Sequence, residues 1–194
     1  MLITEQKLST LPNDLPIPED DGAANHLLGL MIPHVRLIAS DGQEVLLSEA
    51  SHLKPVVLFC YPMTGKPGEE LPFNWEEIPG ARGCTPQNCS FRDNYQEITS
   101  SGVVVFGLSI QTTTDQQEAV GRLHLPFLLL SDAHLNFANE LRLPLFEVDG
   151  VTFIKRLTMI IWKGEVIKVF YPVFPPDKNA REVAQWLAGN PIAA

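Results

Sequence analysis

Pro55-Val56-Val57-Leu58-Phe59-Cys60-Tyr61-Pro62 is the longest apolar run in this chain of 194 residues. Unbroken apolarity over a strand's length, without alternation, is the pattern of a β-strand buried on both faces. Gly102-Val-Val-Val-Phe-Gly-Leu-Ser109 repeats it, and the intervening residues, about forty, suffice for a crossover helix between parallel strands. Phe91, Tyr95 and Ile98, at i, i+4 and i+7, put that helix at Phe91 to Ser101.

Working outward, Val35-Arg-Leu-Ile38 and Glu44-Val-Leu-Leu47 flank the turn pair Asp41-Gly42 and read as a hairpin. Downstream, Thr112 to Asp115 offer caps for a helix through Leu123, Pro126 to Leu130 is a short strand, and Asp132 caps a helix through Leu141. Leu157 to Trp162 and Glu165 to Tyr171, joined at Lys163-Gly164, form a second hairpin. Asp177 to Leu187 is an amphipathic helix with Ala180, Val183, Ala184 and Leu187 on one face. Before all of this, residues 9–33 hold Pro12, Pro16, Pro18 and Pro33 and the acidic Glu19-Asp20-Asp21, without a strong period. The expected organisation is an N-terminal arm, 1–33, and one α/β domain, 34–190, with a central mixed sheet flanked by helices.

Composition narrows the function. Fourteen Lys and Arg against 23 Asp and Glu leave a net charge of −9, and the basic residues form no stripe, so a nucleic-acid partner is not expected. No apolar run approaches the ~18–20 residues of a membrane span. The N-terminus has no basic region leading into an apolar core, and the expectation is a soluble cytoplasmic protein. Three cysteines are too few for a disulfide scaffold, leaving reactive thiols, metal ligands or core fillers. The five histidines show no ligand spacing, so neither metal nor cofactor is expected.

Two of the cysteines fall in Gly83-Cys84-Thr85-Pro86-Gln87-Asn88-Cys89. Thr85 before Pro86 reads as an N-cap followed by the first helical residue. Cys84 then stands at the positive end of a helix, where unpaired N–H groups and the macrodipole favour a thiolate over a thiol. Cys89 is five residues on; in a continuous helix the rise between them is ~7.5 Å, beyond the ~4.4–6.8 Å a disulfide spans. A bond then requires the first turn to unwind, whereas a helix starting at Thr85 would put the two at hydrophobic-staple positions needing less movement. Two unrelated core cysteines are the alternative, and Cys60, inside an apolar strand, reads as an inert filler.

Gly83-Cys-Thr-Pro-Gln-Asn-Cys-Ser-Phe-Arg-Asp93 resembles the active-site segment of the peroxiredoxins, most of all the bacterioferritin-comigratory (Q-type) branch. The resemblance covers residues 35–188, with Gly107-Leu-Ser109, Leu125-Pro-Phe-Leu-Leu-Leu-Ser-Asp132 and Arg156-Leu-Thr-Met-Ile-Ile in the family's order. It implies a thioredoxin-like fold with an N-terminal extension, and reduction of hydrogen peroxide or alkyl hydroperoxides by cysteine alone. Under it, Cys84 is the peroxidatic thiolate that becomes a sulfenic acid and Cys89 the resolving thiol that forms an intrachain disulfide. Arg156 is the family arginine that supports thiolate and peroxide, and a thioredoxin or glutaredoxin-like donor recycles a monomer or homodimer.

The sequence departs from the family's Pro-x-x-x-Thr-x-x-Cys at one place: Ala81 stands three before Cys84. Pro62, matching the family proline, lies 22 positions before Cys84, so about fifteen residues are inserted and 63–83 is read as an insertion. Pro62 and Thr64 are expected to complete the site, with Pro79 and the Thr85 hydroxyl as competitors. The insertion carries Glu69, Glu70, Glu76 and Glu77 beside Phe73 and Trp75, and reads either as a solvated loop pinned by two aromatics or as a lid over the pocket or towards the reductant. A protein disulfide oxidoreductase and a non-catalytic redox sensor are the competing functions; the first lacks the Cys-x-x-Cys spacing of thioredoxins.

Overall fold

The computed structural model describes residues 2–192. In chain order, the first half holds α1 (Glu5–Ser9), β1 (Arg36–Ala39), β2 (Glu44–Leu46), α2 (Leu47–Leu53), β3 (Val56–Cys60), α3 (Cys84–Asp93), α4 (Tyr95–Thr99) and β4 (Val104–Ser109). The second half holds α5 (Thr113–Leu123), β5 (Leu128–Ser131), α6 (Asn136–Leu141), β6 (Leu145–Val148), β7 (Val151–Ile154), β8 (Leu157–Trp162), β9 (Glu165–Phe170), a 3₁₀ turn (Pro176–Lys178) and α7 (Asn179–Gly189).

β3 is buried at every position and lies inside a seven-stranded sheet of order β2-β1-β5-β4-β3-β8-β9. It pairs in parallel with β4 and antiparallel with β8, so the sheet is mixed, with the two expected hairpins at its edges. Because successive side chains alternate across a strand, β3 feeds two cores. Val56, Leu58 and Cys60 pack with Leu37, Leu47, Phe137 and Leu141 on one face. Val57, Phe59 and Tyr61 join Cys84, Phe91, Ile98, Ala180 and Val183 on the other. Phe91 stacks on Phe59 at 4.1 Å between ring centroids, seating α3 on the sheet.

Caps act largely where their residue types suggest. The Thr112 hydroxyl accepts from the Asp115 N–H at 3.3 Å. Asp132 caps at a distance: α6 begins only at Asn136, and the carboxylate reaches forward to accept from Phe137 N (3.1 Å) and Ala138 N (2.8 Å).

The structure changes one expectation and adds elements that the sequence does not announce. The crossover helix starts at Cys84 rather than Phe91 and breaks at Asn94, whose side-chain amide donates to the Ser90 carbonyl at 2.8 Å and competes with the helical ladder. Within the arm, Glu5–Ser9 forms α1, and Ile3, Leu8, Ala24, Leu27 and Ile32 are buried. A small separate hairpin, β6 with β7, turns at Asp149-Gly150, and α2 follows β2 without a side-chain cap. Among the described residues no helix is long and apolar enough to cross a membrane.

Candidate active site

Gly83, not Thr85, is the N-cap of α3, and Cys84 is the first helical residue. Gly83 has φ 104°, and a Cβ there would sit 2.5 Å from Pro176 Cγ and 2.8 Å from Leu11 Cδ2, so this approach admits only glycine. The first helical bond runs from Gln87 N to Gly83 O at 3.0 Å. No side chain caps this end and its first turn holds no acidic residue, leaving the positive end of the dipole at Cys84 uncompensated. The staple geometry that a Thr85 start would give is therefore absent, and α3 runs through both Cys84 and Cys89.

Arg156 immediately precedes β8 and is 3% exposed. Its Nη2 donates to Cys84 Sγ and to the carbonyls of Gly80, Ala81 and Arg82, each at 3.2 Å. Nη1 donates to Gln87 Oε1. Gln87 Nε2 in turn donates to Asn179 Oδ1 at 3.0 Å, an oxygen that also accepts from the Thr158 hydroxyl at 2.7 Å. Arg156 thus holds one amide oxygen, three carbonyls and one sulfur. Of these only the sulfur can carry the charge that a buried guanidinium needs opposite it. The hydroxyl of Thr85 is buried beside this turn without a hydrogen-bond partner among the described residues.

Cys89 is half-buried on α3, where burial pushes its thiol up and the neighbouring Arg92 opposes that shift. Five helical residues separate it from Cys84 by ~7.5 Å of rise and roughly 140° of rotation, so the two sulfurs cannot bond without unwinding the turn. Cys60 is in the core on the opposite face of the sheet from Cys84, and burial pushes its thiol up as well, which keeps it a filler.

Pro62 and Thr64 are both buried just after β3. The Thr64 hydroxyl donates to Gln111 Oε1 at 3.0 Å, its N–H meets the same oxygen at 2.8 Å, and Gln111 Nε2 returns a bond to the Thr64 carbonyl at 3.1 Å. Cys84 Sγ instead meets Arg156 and the Ala81 carbonyl, the latter at 3.5 Å. Of the insertion's two aromatics only Trp75 pins it, packing on Phe153 (5.0 Å) and Phe146 (5.9 Å), while Phe73 is exposed. The end of the insertion, including Pro79 and Gly80, borders a cavity of about 450 Å³ that Arg156 also lines.

Gln87 and Asn179 are site residues that the motif reading passes over. Gln87 carries a signal, lying three residues after Cys84 and so on the same helical face. Asn179 carries none, since only the docking of α7 brings it to α3.

A mixed sheet flanked by helices presents Cys84 at a bare helix start under a buried arginine, the setting of a reactive cysteine. The family model described as Redoxin matches residues 28–185. Peroxiredoxin Q, chloroplastic, of Gentiana triflora is 30% identical over 93% of this chain and 77% of its own. Peroxiredoxin bcp1 of Schizosaccharomyces pombe is 30% identical over 67% of this chain and 62% of its own. Among solved structures, the peroxidoxin BcpB of Mycobacterium tuberculosis superposes with a TM-score of 0.69 at 25% identity, covering 84% of this chain and 97% of that one. The chain belongs to the redoxin family, with the thioredoxin-like fold, and is a thiol peroxidase of the peroxiredoxin class.

Proposed function

We propose that Cys84 is the peroxidatic and Cys89 the resolving cysteine of this peroxidase. The Cys84 thiolate attacks the distal oxygen of the hydroperoxide; the O–O bond breaks, sulfur takes up that oxygen as a sulfenic acid, and the alkoxide or hydroxide takes a proton from water. Cys89 then condenses with the sulfenic acid, forming the S–S bond and releasing water. Two thiols of a thioredoxin or glutaredoxin-like donor reduce that bond and return both cysteines.

The single observation that supports this reading most is the 3.2 Å contact of Arg156 with Cys84 Sγ, where among the described residues no carboxylate competes for the guanidinium. The same cation suits the charge moving onto the leaving oxygen. Gln87 positions the cation, and Asn179 positions Gln87. Pro62 and Thr64 stand in for the displaced half of the family motif; Thr64 serves the peroxide by turning its hydroxyl from Gln111. The enzyme works as a monomer or homodimer on hydrogen peroxide and alkyl hydroperoxides. A reducing cytoplasm suits a cysteine pair that must be returned to thiols each cycle.

Stopped-flow oxidation of the wild type, Cys84→Ser and Cys89→Ser by hydrogen peroxide tests the assignment. Loss of reaction only in Cys84→Ser, with a persistent sulfenic acid in Cys89→Ser, is the expected result. Equal oxidation of Cys84→Ser and wild type would refute it.

A further inference from the structure

Asn88 lies in α3 one position before Cys89 and is fully buried. Its side-chain nitrogen donates to the Cys84 carbonyl at 3.0 Å, a backward bond that competes with the helical ladder for that oxygen. Its Oδ1 is buried without a hydrogen-bond partner among the described residues. A buried amide satisfied on one side only raises the free energy of the reduced, helical state. Alanine would occupy the same helical position without that cost and with a better propensity. The reduced fold therefore supplies no reason for an asparagine here.

The reason lies in the state that a Cys84–Cys89 bond demands, in which the first turn of α3 has unwound. Beyond Asn88 the helix is anchored on three sides. Phe91 stacks on Phe59 at 4.1 Å, the Ser90 hydroxyl donates to the Asp177 carbonyl at 2.6 Å, and Arg92 Nη1 donates to the Leu123 carbonyl at 2.8 Å. Unwinding that frees Cys84 then stops at these anchors, and the shortened helix begins at Cys89 with Asn88 just before it. Asparagine is among the best residues at that position, because its side-chain oxygen accepts from the N–H two or three residues on. Those are the N–H groups of Ser90 and Phe91, which the unwinding of the turn leaves without helical partners. The neighbours cannot serve instead. Gln87 is not a capping residue type, Thr85 lies within the segment that unwinds, and the Ser90 hydroxyl is committed to Asp177.

We propose that Asn88 is a positioning residue for the resolving step, its unpartnered oxygen in the reduced enzyme becoming the N-cap of the shortened helix in the disulfide form. This rests on the reading of Cys84 and Cys89 as the peroxidatic and resolving pair and adds to it the residue that stabilises the unwound state. In the step itself the Cys89 sulfur attacks the sulfenic sulfur of Cys84, the S–O bond breaks, and the oxygen leaves as water with the Cys89 thiol proton. Asn88 makes and breaks no covalent bond; it shifts the balance between the helical dithiol and the unwound disulfide, from both ends.

The test compares wild type, Asn88→Ala and Asn88→Ser. Alanine removes the cap, whereas serine keeps a capping oxygen and loses the amide nitrogen. The disulfide is equilibrated against mixtures of reduced and oxidised dithiothreitol and read by alkylation and mass spectrometry. Asn88→Ala should shift the equilibrium about fivefold or more towards the dithiol, and Asn88→Ser should stay within about twofold of wild type. Amide hydrogen exchange gives a second readout. In the oxidised proteins at least one of the Ser90 and Phe91 amides should exchange about fivefold faster in Asn88→Ala than in the other two, while in the reduced proteins, where both lie inside α3, the three should agree. Equal equilibria in all three proteins, or Asn88→Ser behaving as Asn88→Ala does, overturns the proposal. Failure of the underlying reading is a separate result: one equivalent of hydrogen peroxide would then produce no Cys84–Cys89 bond in the wild type.

Discussion

A buried guanidinium whose partners among the described residues include no carboxylate organises this site residue by residue. Lysine in place of Arg156 keeps the charge but has a single point donor, unable to hold the sulfur, three carbonyls and Gln87 together. Arg156→Lys should therefore lower the second-order rate with peroxide by about a hundredfold, read by stopped-flow fluorescence or competition kinetics. Gln87→Glu tests the next link. It sets a permanent anion on Nη1 and gives Arg156 a counter-charge other than the sulfur, so the rate should fall about tenfold while Arg156 stays buried. A Gln87→Glu enzyme as fast as wild type would remove Gln87 from the positioning role. Thr64→Val should also cost about tenfold if the hydroxyl turns to the peroxide, whereas an unchanged rate assigns Thr64 to its Gln111 clamp alone. Cys84 and Arg156 were legible because the motifs around them are local. Thr64 was a harder inference, because the insertion breaks the spacing that normally carries the threonine.

At the scale of elements, the question is how α3 lets go of its own first turn. Arg82, 5% exposed, donates to the carbonyls of Lys7, Leu8 and Thr10 at the C-terminal end of α1, while its own carbonyl accepts from Arg156. A cation at a helix C-terminus is doubly favourable, satisfying orphan carbonyls and opposing the dipole. Glu76 of the insertion reaches both Arg82 (3.4 Å) and Lys7 (3.1 Å), so arm, insertion and active-site turn are fastened at one point. Unwinding Cys84 towards Cys89 strains that fastening. Arg82→Met should loosen it and speed disulfide formation about threefold or more after one equivalent of peroxide, measured by acid quench, alkylation and mass spectrometry. If the bond forms at the wild-type rate, the fastening does not govern unwinding. None of this was readable from the sequence beyond the presence of an arm and an insertion. α1 is five residues long, and a helix so short exists only through its tertiary partners.

For the molecule as a whole, the sheet was legible because its central strands are buried on both faces and so leave continuous apolar runs in the sequence. The α6 start, α2 and the β6–β7 hairpin were not, since short elements are decided by packing more than by propensity. The same two-faced burial sets an alkaline limit on stability. Cys60 faces one core and Tyr61 the other, and burial pushes both ionisations above their ordinary values, for Cys60 from 9.0 and for Tyr61 from 10.0. In each case the folded state holds a proton that the unfolded chain releases. The stabilisation is therefore complete below about pH 9 and declines as the pH rises through the unfolded values towards the folded ones. Each group adds a slope of about −1.4 kcal/mol per pH unit once its unfolded counterpart is ionised. Urea unfolding of the reduced protein between pH 8 and about 10.5 should show the midpoint falling steeply at the alkaline end. Cys60→Ala should begin less stable at neutral pH, because it leaves a cavity, yet show a shallower alkaline slope by one such increment. Parallel curves for the two proteins would mean that Cys60 ionises as easily folded as unfolded, and its assignment as an unreactive core thiol would then fail.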